Sequence, residues 1–237
     1  MSLELPASLD LPDYILATGA LGTAAFAIVD ASKSLWGGVS NAGFGHIKRV
    51  VKRLFPSGAS AKDISNPLAL GQVLATLRAN WLNGTALADQ KSIAKTLIRL
   101  RLDKANAGGL ATATGVDATL LNSVAEKIVT GTSLTQPETD VLGRFDMIVT
   151  TLLDEGYQRA DQQYRDGARA LSVFVALVLA FFGGWQIGGG SLADYLTSRF
   201  IGAAMLTGLI ATPLAPVAKD LADGLTTAMK ALGSLRK

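Results

Sequence analysis

The stretch that decides the fold covers residues 135–185 and reads TQPETDVLGRFDMIVTTLLDEGYQRADQQYRDGARALSVFVALVLAFFGGW. In its first part, apolar side chains recur at steps of three and four residues, which is the spacing of one helical face. They are Val141, Phe145, Ile148, Val149, Leu152, Leu153, Tyr157, Ala160 and Tyr164. Residues 170–185 carry no charge. We therefore predict one long helix, with an amphipathic charged half and an apolar half that can enter a bilayer.

The start of this helix carries its own signals. Thr135 and Glu138 have the spacing of a capping box, in which the glutamate reaches back to the cap residue. Pro137 suits a first turn, because its missing N–H would have no helical partner there. Without a break the element is about 75 Å long, whereas the core of a bilayer is only about 30 Å thick. The charged half, residues 135–169, is therefore predicted to be a stalk outside the bilayer.

The composition indicates membrane segments joined to a water-exposed part. The chain has 237 residues, of which 49% are hydrophobic and only 17% are charged, whereas soluble domains average about 25% charged residues. It has no cysteine, which excludes disulfides and thiolate metal sites, and His46 is its single histidine. A net charge of +3 and an aromatic content of 6% do not favour nucleic-acid binding. We expect no enzymatic activity, no cofactor, no metal and no nucleic acid.

Two further segments are predicted to span a membrane. Residues 14–36 have an uncharged centre and end in Trp36, a residue type common at membrane interfaces. If this segment ends at Val29 it is short for a span, and a re-entrant or partly buried core helix is the alternative. Residues 200–217 form the third span, which Pro213 and Pro216 are expected to kink or end. Glycines at 183–184 and 188–190 predict a turn between the second and third spans.

Small residues in the spans predict close helix packing. Ala204, Gly208 and Thr212 lie four residues apart in the third span. Side chains of this size let two helices approach closely in lipid. The first span carries a similar face, so we expect a homo-oligomer.

Polar residues inside the first span are candidates for a functional site. Asp30 lies near membrane depth, where a carboxylate is energetically costly, and Lys33 is one turn away. One interpretation is an ion pair at the interface, and the other is a position on a pore or a packed seam. Thr18 and Thr23, together with Ser34, are further candidates for a pore-lining face, although their spacing fits a single face only loosely.

A basic amphipathic segment, residues 37–56, follows the first span. Lys48, Arg49, Lys52 and Arg53 form two basic pairs beside an apolar stripe that includes Ile47 and Val51. Such a helix can lie in the headgroup layer and attract anionic lipid at about 1 kcal/mol per basic residue. The alternative is a topology signal whose apolar face packs on protein.

Residues 57–134 are predicted to form a small cytoplasmic helical domain. One helix is expected to begin at Asn66-Pro67 and end near Asn83-Gly84. A second covers residues 88–104, with a solvated basic face formed by Lys91, Lys95, Arg99 and Arg101. Residues 107–115 are expected to be a flexible loop. A third helix begins after Asp117 and ends at Gly131, and its apolar face includes Ile128 and Val129.

The distribution of basic residues predicts the orientation. Residues 37–169 contain sixteen of the 22 Lys and Arg residues, and cytoplasmic loops near spans carry such an excess. The segments are as follows: N-terminal tail outside, 1–13; first span, 14–36; basic segment, 37–56; helical domain, 57–134; stalk, 135–169; second span, 170–185; outside turn, 186–199; third span, 200–217; cytoplasmic amphipathic tail, 218–237. We expect a multi-pass membrane protein, with the N-terminus outside and the C-terminus inside.

Two short motifs carry a resemblance. Residues 144–147 (RFDM) and 156–159 (GYQR), which lead into the span at Ala170, and the tail after Pro213 are similar to a group of uncharacterised bacterial inner-membrane proteins. That resemblance implies an N-terminal span, a helical cytoplasmic region and a C-terminal two-span hairpin. It implies no catalytic residues.

The sequence thus predicts an all-α integral membrane protein with three transmembrane helices and a cytoplasmic helical domain. Its expected partners are the lipid bilayer, further copies of itself and a cytoplasmic protein. The expected function is that of a membrane-anchored assembly or scaffold protein. The alternative is a homo-oligomeric ion channel or pore lined by one helix from each subunit.

Overall fold

The computed structural model describes residues 11–32, 37–55, 67–188 and 190–235, and these residues contain helices and no strand. The prediction of an all-α fold is therefore confirmed for this part of the chain. The helices are α1 (Leu11–Ala31), α2 (Ser40–Arg53), α3 (Leu70–Leu82), α4 (Leu87–Arg99), α5 (Ala107–Thr114), α6 (Ala118–Thr130), α7 (Gln136–Gly188), α8 (Leu192–Leu196) and α9 (Phe200–Leu235).

The described residues form two compact units. The helical unit covers residues from Val39 to Arg165, and the span unit contains those up to Gly38 together with those from Asp166 onward. Helix α7 contributes to both units, and it is one continuous helix of 53 residues, as the sequence predicted.

The core of the helical unit is built on the apolar face of α7. Phe145, Val149, Leu153, Tyr157 and Ala160 are fully or almost fully buried there. Their steps of three and four residues place them on one side of the helix, as predicted. Each large side chain removed from water contributes about 1.5–3 kcal/mol, so this face holds α2 to α6 around the helix.

The start of α7 is fixed by Glu138. Its Oε2 accepts a hydrogen bond from the backbone N of Thr135 at 2.7 Å, as the capping-box spacing predicted. The Thr135 hydroxyl donates to the same oxygen at 2.8 Å. Ser123 Oγ and Lys127 Nζ of α6 donate to this carboxylate at 2.6 and 2.8 Å, so it also ties α6 to α7. These donors, Lys127 foremost, lower the pKa of Glu138 from 4.5 to about 2.

Three other predictions for the helical unit, all concerning α6, have different outcomes. The N-cap role of Asp117 is confirmed, because its carboxylate accepts from the backbone N of Leu120 at 2.8 Å. Gly131 ends α6 in the left-handed region with φ +70°, also as predicted. The apolar face expected for α6 is wrong at its end, because Ile128 and Val129 are 52% and 75% exposed.

The segment expected to be a flexible loop is helix α5. Ala107, Leu110 and Ala111 are buried in the core of the helical unit. The run of Gly, Ala and Thr resembles a linker in composition, but its small side chains allow close packing against neighbouring helices. Gly115, with φ +72°, ends the helix.

The glycines at 183 and 184 do not form a turn, because α7 continues through them to Gly188. A Cβ on Gly184 would lie 3.0 Å from the Cβ of Ala204 and would meet the Tyr195 hydroxyl. Gly184 therefore serves close helix packing instead of chain reversal. The segment after α7 contains a short helix, α8, which begins with a capping box between Ser191 and Asp194.

The prolines in α9 do not end the helix, and α9 runs through Pro213 and Pro216 to Leu235. A proline interrupts one backbone hydrogen bond and costs about 3 kcal/mol in a free helix. Here α1 packs across this region, with Gly22 against Ala211 and Gly19 against Ala218. Contacts on both sides of the prolines thus hold the helix together, and residues 200–217 and the tail belong to one element.

Within the described part of the chain, three helices are long and apolar enough to cross a membrane. They are Tyr14–Ala31 in α1, the apolar part of α7 and Phe200–Asp220 in α9. The first is shorter than the predicted 14–36, because α1 ends at Ala31; residues 33–36, including Lys33, lie outside the described residues.

Candidate functional site

The apolar stripe of the basic segment packs on protein. Phe44, Ile47, Val51, Leu54 and Phe55 are buried in the core of the helical unit. These side chains are therefore not available to insert into a headgroup layer, and the expectation that the apolar face packs on protein is confirmed, whereas the role of α2 as a topology signal stays a prediction. The four predicted lipid contacts are nevertheless exposed at the surface: Lys48, Arg49, Lys52 and Arg53.

A cleft lies between this helix and α7. It has a volume of about 170 Å³. Its lining residues are His46, Arg49, Val50 and Arg53 from α2, and Leu152, Glu155, Gly156 and Arg159 from α7.

Glycine makes the two walls of the cleft approach closely. A Cβ on Gly156 would lie 2.9 Å from Val50 Cγ2, which is too close for an ordinary contact. Gly43 of α2 similarly lies against the backbone of Ala160. Gly156, in the middle of the long helix, is therefore a packing position. It brings Arg159 of α7 beside the basic face of α2.

The cleft carries an excess of positive charge. Its one carboxylate, Glu155 Oε1, is paired with Arg159 Nη2 at 2.8 Å. Within the described residues, Arg49 and Arg53 have no carboxylate partner. Three guanidinium groups and an imidazole therefore face a single carboxylate, an arrangement suited to binding an anion. The described residues contain no group of His, Asp and Glu that could hold a metal ion.

Lys91, Lys95 and Arg99 of α4 are partly exposed, as a solvated face predicts, but they are also paired with carboxylates of α7, which the prediction did not include. Lys91 Nζ lies 2.7 Å from Asp154 Oδ1 of α7. Lys95 and Arg99 each lie 3.5 Å from the carboxylate of Asp146. At that distance they are ion pairs rather than good hydrogen bonds.

Arg101 also departs from the predicted solvated face. It is buried, and its guanidinium lies 4.6 Å from the centre of the Phe55 ring. Burial lowers the pKa of Arg101. Its stacking on an aromatic ring is a packing role. The basic residues around α4 therefore take part in ion pairing and packing within the helical unit.

The polar residues of α1 do not share one face. Thr18 is buried, whereas Thr23 and Asp30 are exposed. Thr23 donates its hydroxyl to the Gly19 carbonyl at 2.9 Å, which satisfies it within its own helix. Thr23 and Asp30 lie seven residues apart, so they occupy the same side of α1. Thr18 belongs to the buried side, with Ala25 and Val29.

The three helix-packing residues are buried within the span unit. Ala204 and Thr212 are 9% and 8% exposed. A Cβ on Gly208 would lie 2.8 Å from Leu177 Cα and 3.0 Å from the Ala176 carbonyl oxygen. This small face therefore packs on α7 of the same chain. It does not by itself supply a surface for a second copy.

The chain matches no protein-family model, no curated protein and no solved structure in the comparisons with known proteins. The resemblance to uncharacterised inner-membrane proteins therefore stays a prediction. Sequence reasoning found Arg49 and Arg53 but missed His46, Glu155, Gly156 and Arg159 as parts of the same cleft. The steps from His46 to Arg49 and Arg53 place these three on one face of α2. No local signal identifies the residues of α7 that lie opposite them.

Proposed function

We propose that this protein is a non-enzymatic, membrane-anchored assembly protein of the bacterial inner membrane, whose cytoplasmic helices bind another protein. The observation that carries the proposal is the continuity of α7. Its residues up to Arg165 help to form the core of the helical unit, and its later residues are apolar enough to span a bilayer. Anchor and helical unit thus share one element of secondary structure instead of being joined by a linker.

The charge distribution supports a cytoplasmic helical unit. Sixteen of the 22 Lys and Arg residues lie at positions 37–169, and positive residues near spans favour the cytoplasmic side. This places the N-terminus outside, residues 186–199 outside and the C-terminus inside.

The absence of cysteine gives a direct test of anchoring and orientation. Thr132→Cys and Thr197→Cys each introduce a single thiol at an exposed position, one in each unit. A membrane-impermeant maleimide should label Thr197→Cys in intact spheroplasts, and should label Thr132→Cys only after permeabilisation. The reverse pattern would overturn the orientation. Recovery of the unmodified chain in the soluble fraction would overturn the anchor.

Binding of a protein partner is tested at the exposed apolar end of α6. A photo-crosslinking amino acid at Val129, which is 75% exposed, should give a specific adduct in cells. The same amino acid at Thr119, an exposed position near the start of α6, is the matched control. Absence of any adduct from the helical unit would count against a scaffold.

A homo-oligomeric channel is the second candidate, because one side of α1 is exposed, consists of small residues and ends at the carboxylate of Asp30. Ala17, Ala20, Ala24 and Ala27 are exposed at steps of three and four residues, and Asp30 follows them on this side. Small residues at this spacing favour close helix contact in lipid. Ion flux into proteoliposomes, with its loss in Asp30→Asn, would favour the channel. A particle without a central hole would favour the scaffold.

A further inference from the structure

The cleft between α2 and α7 concentrates positive charges, and those of Arg49 and Arg53 have no carboxylate partner among the described residues. Arg49 and Arg53 lie four residues apart on α2, where like charges repel by about 0.2–0.5 kcal/mol. The helix dipole favours cations in the last turn of a helix, which accounts for Arg53 but not for Arg49, which lies before that turn. The dipole of α2 does not account for Arg159, which comes from another helix and adds a third guanidinium at the same place.

The donors of the cleft match a phosphate group. A guanidinium presents several N–H donors in a planar fork, which suits the oxygens of a phosphate. His46 adds a ring nitrogen to the lining. Glu155 is already paired with Arg159, so its charge is partly compensated before any ligand binds. An anion between α2 and α7 would relieve the repulsion between Arg49 and Arg53.

The size of the cleft limits the ligand to one small group. Its volume of about 170 Å³ is below the roughly 300–1,000 Å³ of pockets that enclose a whole drug-sized molecule. The lining residues other than the arginines and Glu155 are His46, Val50, Leu152 and Gly156.

We propose that the α2–α7 cleft binds a single phosphate group, held by the guanidinium groups of Arg49, Arg53 and Arg159. The phosphate belongs either to a soluble phosphate ester or to the headgroup of an anionic phospholipid, because both present the same oxygens. This proposal concerns a ligand and does not depend on the scaffold function. A failure of either proposal leaves the other standing.

Two experimental arms on the full-length protein in uncharged detergent distinguish the sources. Titration calorimetry with inorganic phosphate and with glycerol 3-phosphate detects a soluble ester. Native mass spectrometry after incubation with phosphatidylglycerol or phosphatidylcholine detects a retained headgroup. Binding of the soluble probes identifies a phosphate-ester site, and retention of phosphatidylglycerol alone identifies a lipid site. Either result supports the proposal, whereas no binding in both arms overturns it.

Charge-matched variants separate the cleft from general charge attraction. Loss of one charged hydrogen-bond donor costs about tenfold in affinity or more, so Arg49→Gln/Arg53→Gln should abolish measurable binding. Arg144→Gln/Lys104→Gln removes two cations from exposed positions that do not line the cleft, and it should leave binding unchanged. Equal losses in the two double variants would overturn the site.

A variant that should bind more tightly distinguishes loss of the site from loss of the fold. Glu155→Gln removes the competing carboxylate and frees Arg159, so binding should become several-fold tighter. A damaged fold cannot produce this gain. Weaker binding in Glu155→Gln, with an unchanged melting temperature, would show that the arginines do not hold the anion as proposed.

Discussion

The two units of the chain are both helical, yet the interior of each unit is packed with different side chains. The helical unit buries large residues such as Phe145, Leu153 and Tyr157. Ion pairs such as Lys91–Asp154 lie at its surface. The span unit instead packs glycine and alanine against backbone, as at Gly22 and Gly208. Burial of large apolar surface stabilises a fold in water, where the hydrophobic effect operates. In lipid that effect is absent between helices, and close approach takes its place.

The largest expected effect comes from truncating a core side chain of the helical unit. Phe145 is fully buried, so Phe145→Ala should lower the free energy of unfolding by roughly 3–5 kcal/mol. Pulse proteolysis of the full-length protein in urea measures this change. Met147→Ala is the control on the same helix, because Met147 is 66% exposed, and it should change stability by less than about 0.5 kcal/mol. Similar losses in both variants would contradict the assignment of the buried face.

The next effect comes from adding a methyl group to the span unit. Gly22→Ala places a Cβ against the backbone carbonyl of Ala211, which cannot move aside as a side chain can. We expect a loss of about 1–3 kcal/mol, seen as a lower melting temperature in detergent. Gly202→Ala is the matched control, because nothing lies within 4 Å of its added Cβ. Alanine there should be neutral or stabilising, since it is the better helix former. If Gly22→Ala is as stable as Gly202→Ala, glycine packing does not hold α1 to α9.

The difference in packing between the two units also accounts for what the sequence could and could not predict. Periodicity identified the apolar face of α7, because burial in water selects large side chains at helical steps. Composition misled at residues 107–115 and at Gly183-Gly184, where small residues were interpreted as loop or turn. Small residues favour a turn when backbone freedom is needed, and close packing when another helix lies beside them. Whether small residues form a turn or a packing position depends on whether another helix lies beside them. A helix that is distant in sequence leaves no signal in the local sequence pattern.

The candidate cleft illustrates the same limit. The basic pairs of α2 were recognised from spacing alone, and their exposure is as expected. The apolar stripe beside them was compatible with a membrane surface or a protein core, because both accept the same side chains. The packing of Val50 against Gly156 of α7 shows that the stripe faces protein, and this contact joins residues more than a hundred positions apart.

A smaller effect is expected from Glu138, whose contribution to the stability of the helical unit should depend on pH. The pKa of Glu138 is about 2, below the ordinary 4.5, chiefly because Lys127 and Ser123 donate to its carboxylate. Its contribution to stability is therefore complete above about pH 4.5 and is lost as the pH falls towards 2. Glu138→Gln should unfold more easily at pH 7 and should lose less stability between pH 5 and pH 2.5, as measured by urea denaturation. Glu126→Gln, at an exposed glutamate, should keep the wild-type pH profile. An unchanged profile in Glu138→Gln would contradict this role.

The smallest effect is expected from the ion pairs between α4 and α7. Lys91 Nζ lies 2.7 Å from Asp154 Oδ1, but the two side chains are 29% and 47% exposed. Solvent screening should therefore limit their coupling to less than about 1 kcal/mol in a double-mutant cycle of Lys91→Gln and Asp154→Asn. The coupling should shrink further in 1 M salt. Lys104 and Glu126, at 3.5 Å and more exposed, should give no measurable coupling. A coupling above about 2 kcal/mol at the first pair would mean that ion pairs, and not buried apolar surface, hold α4 against α7.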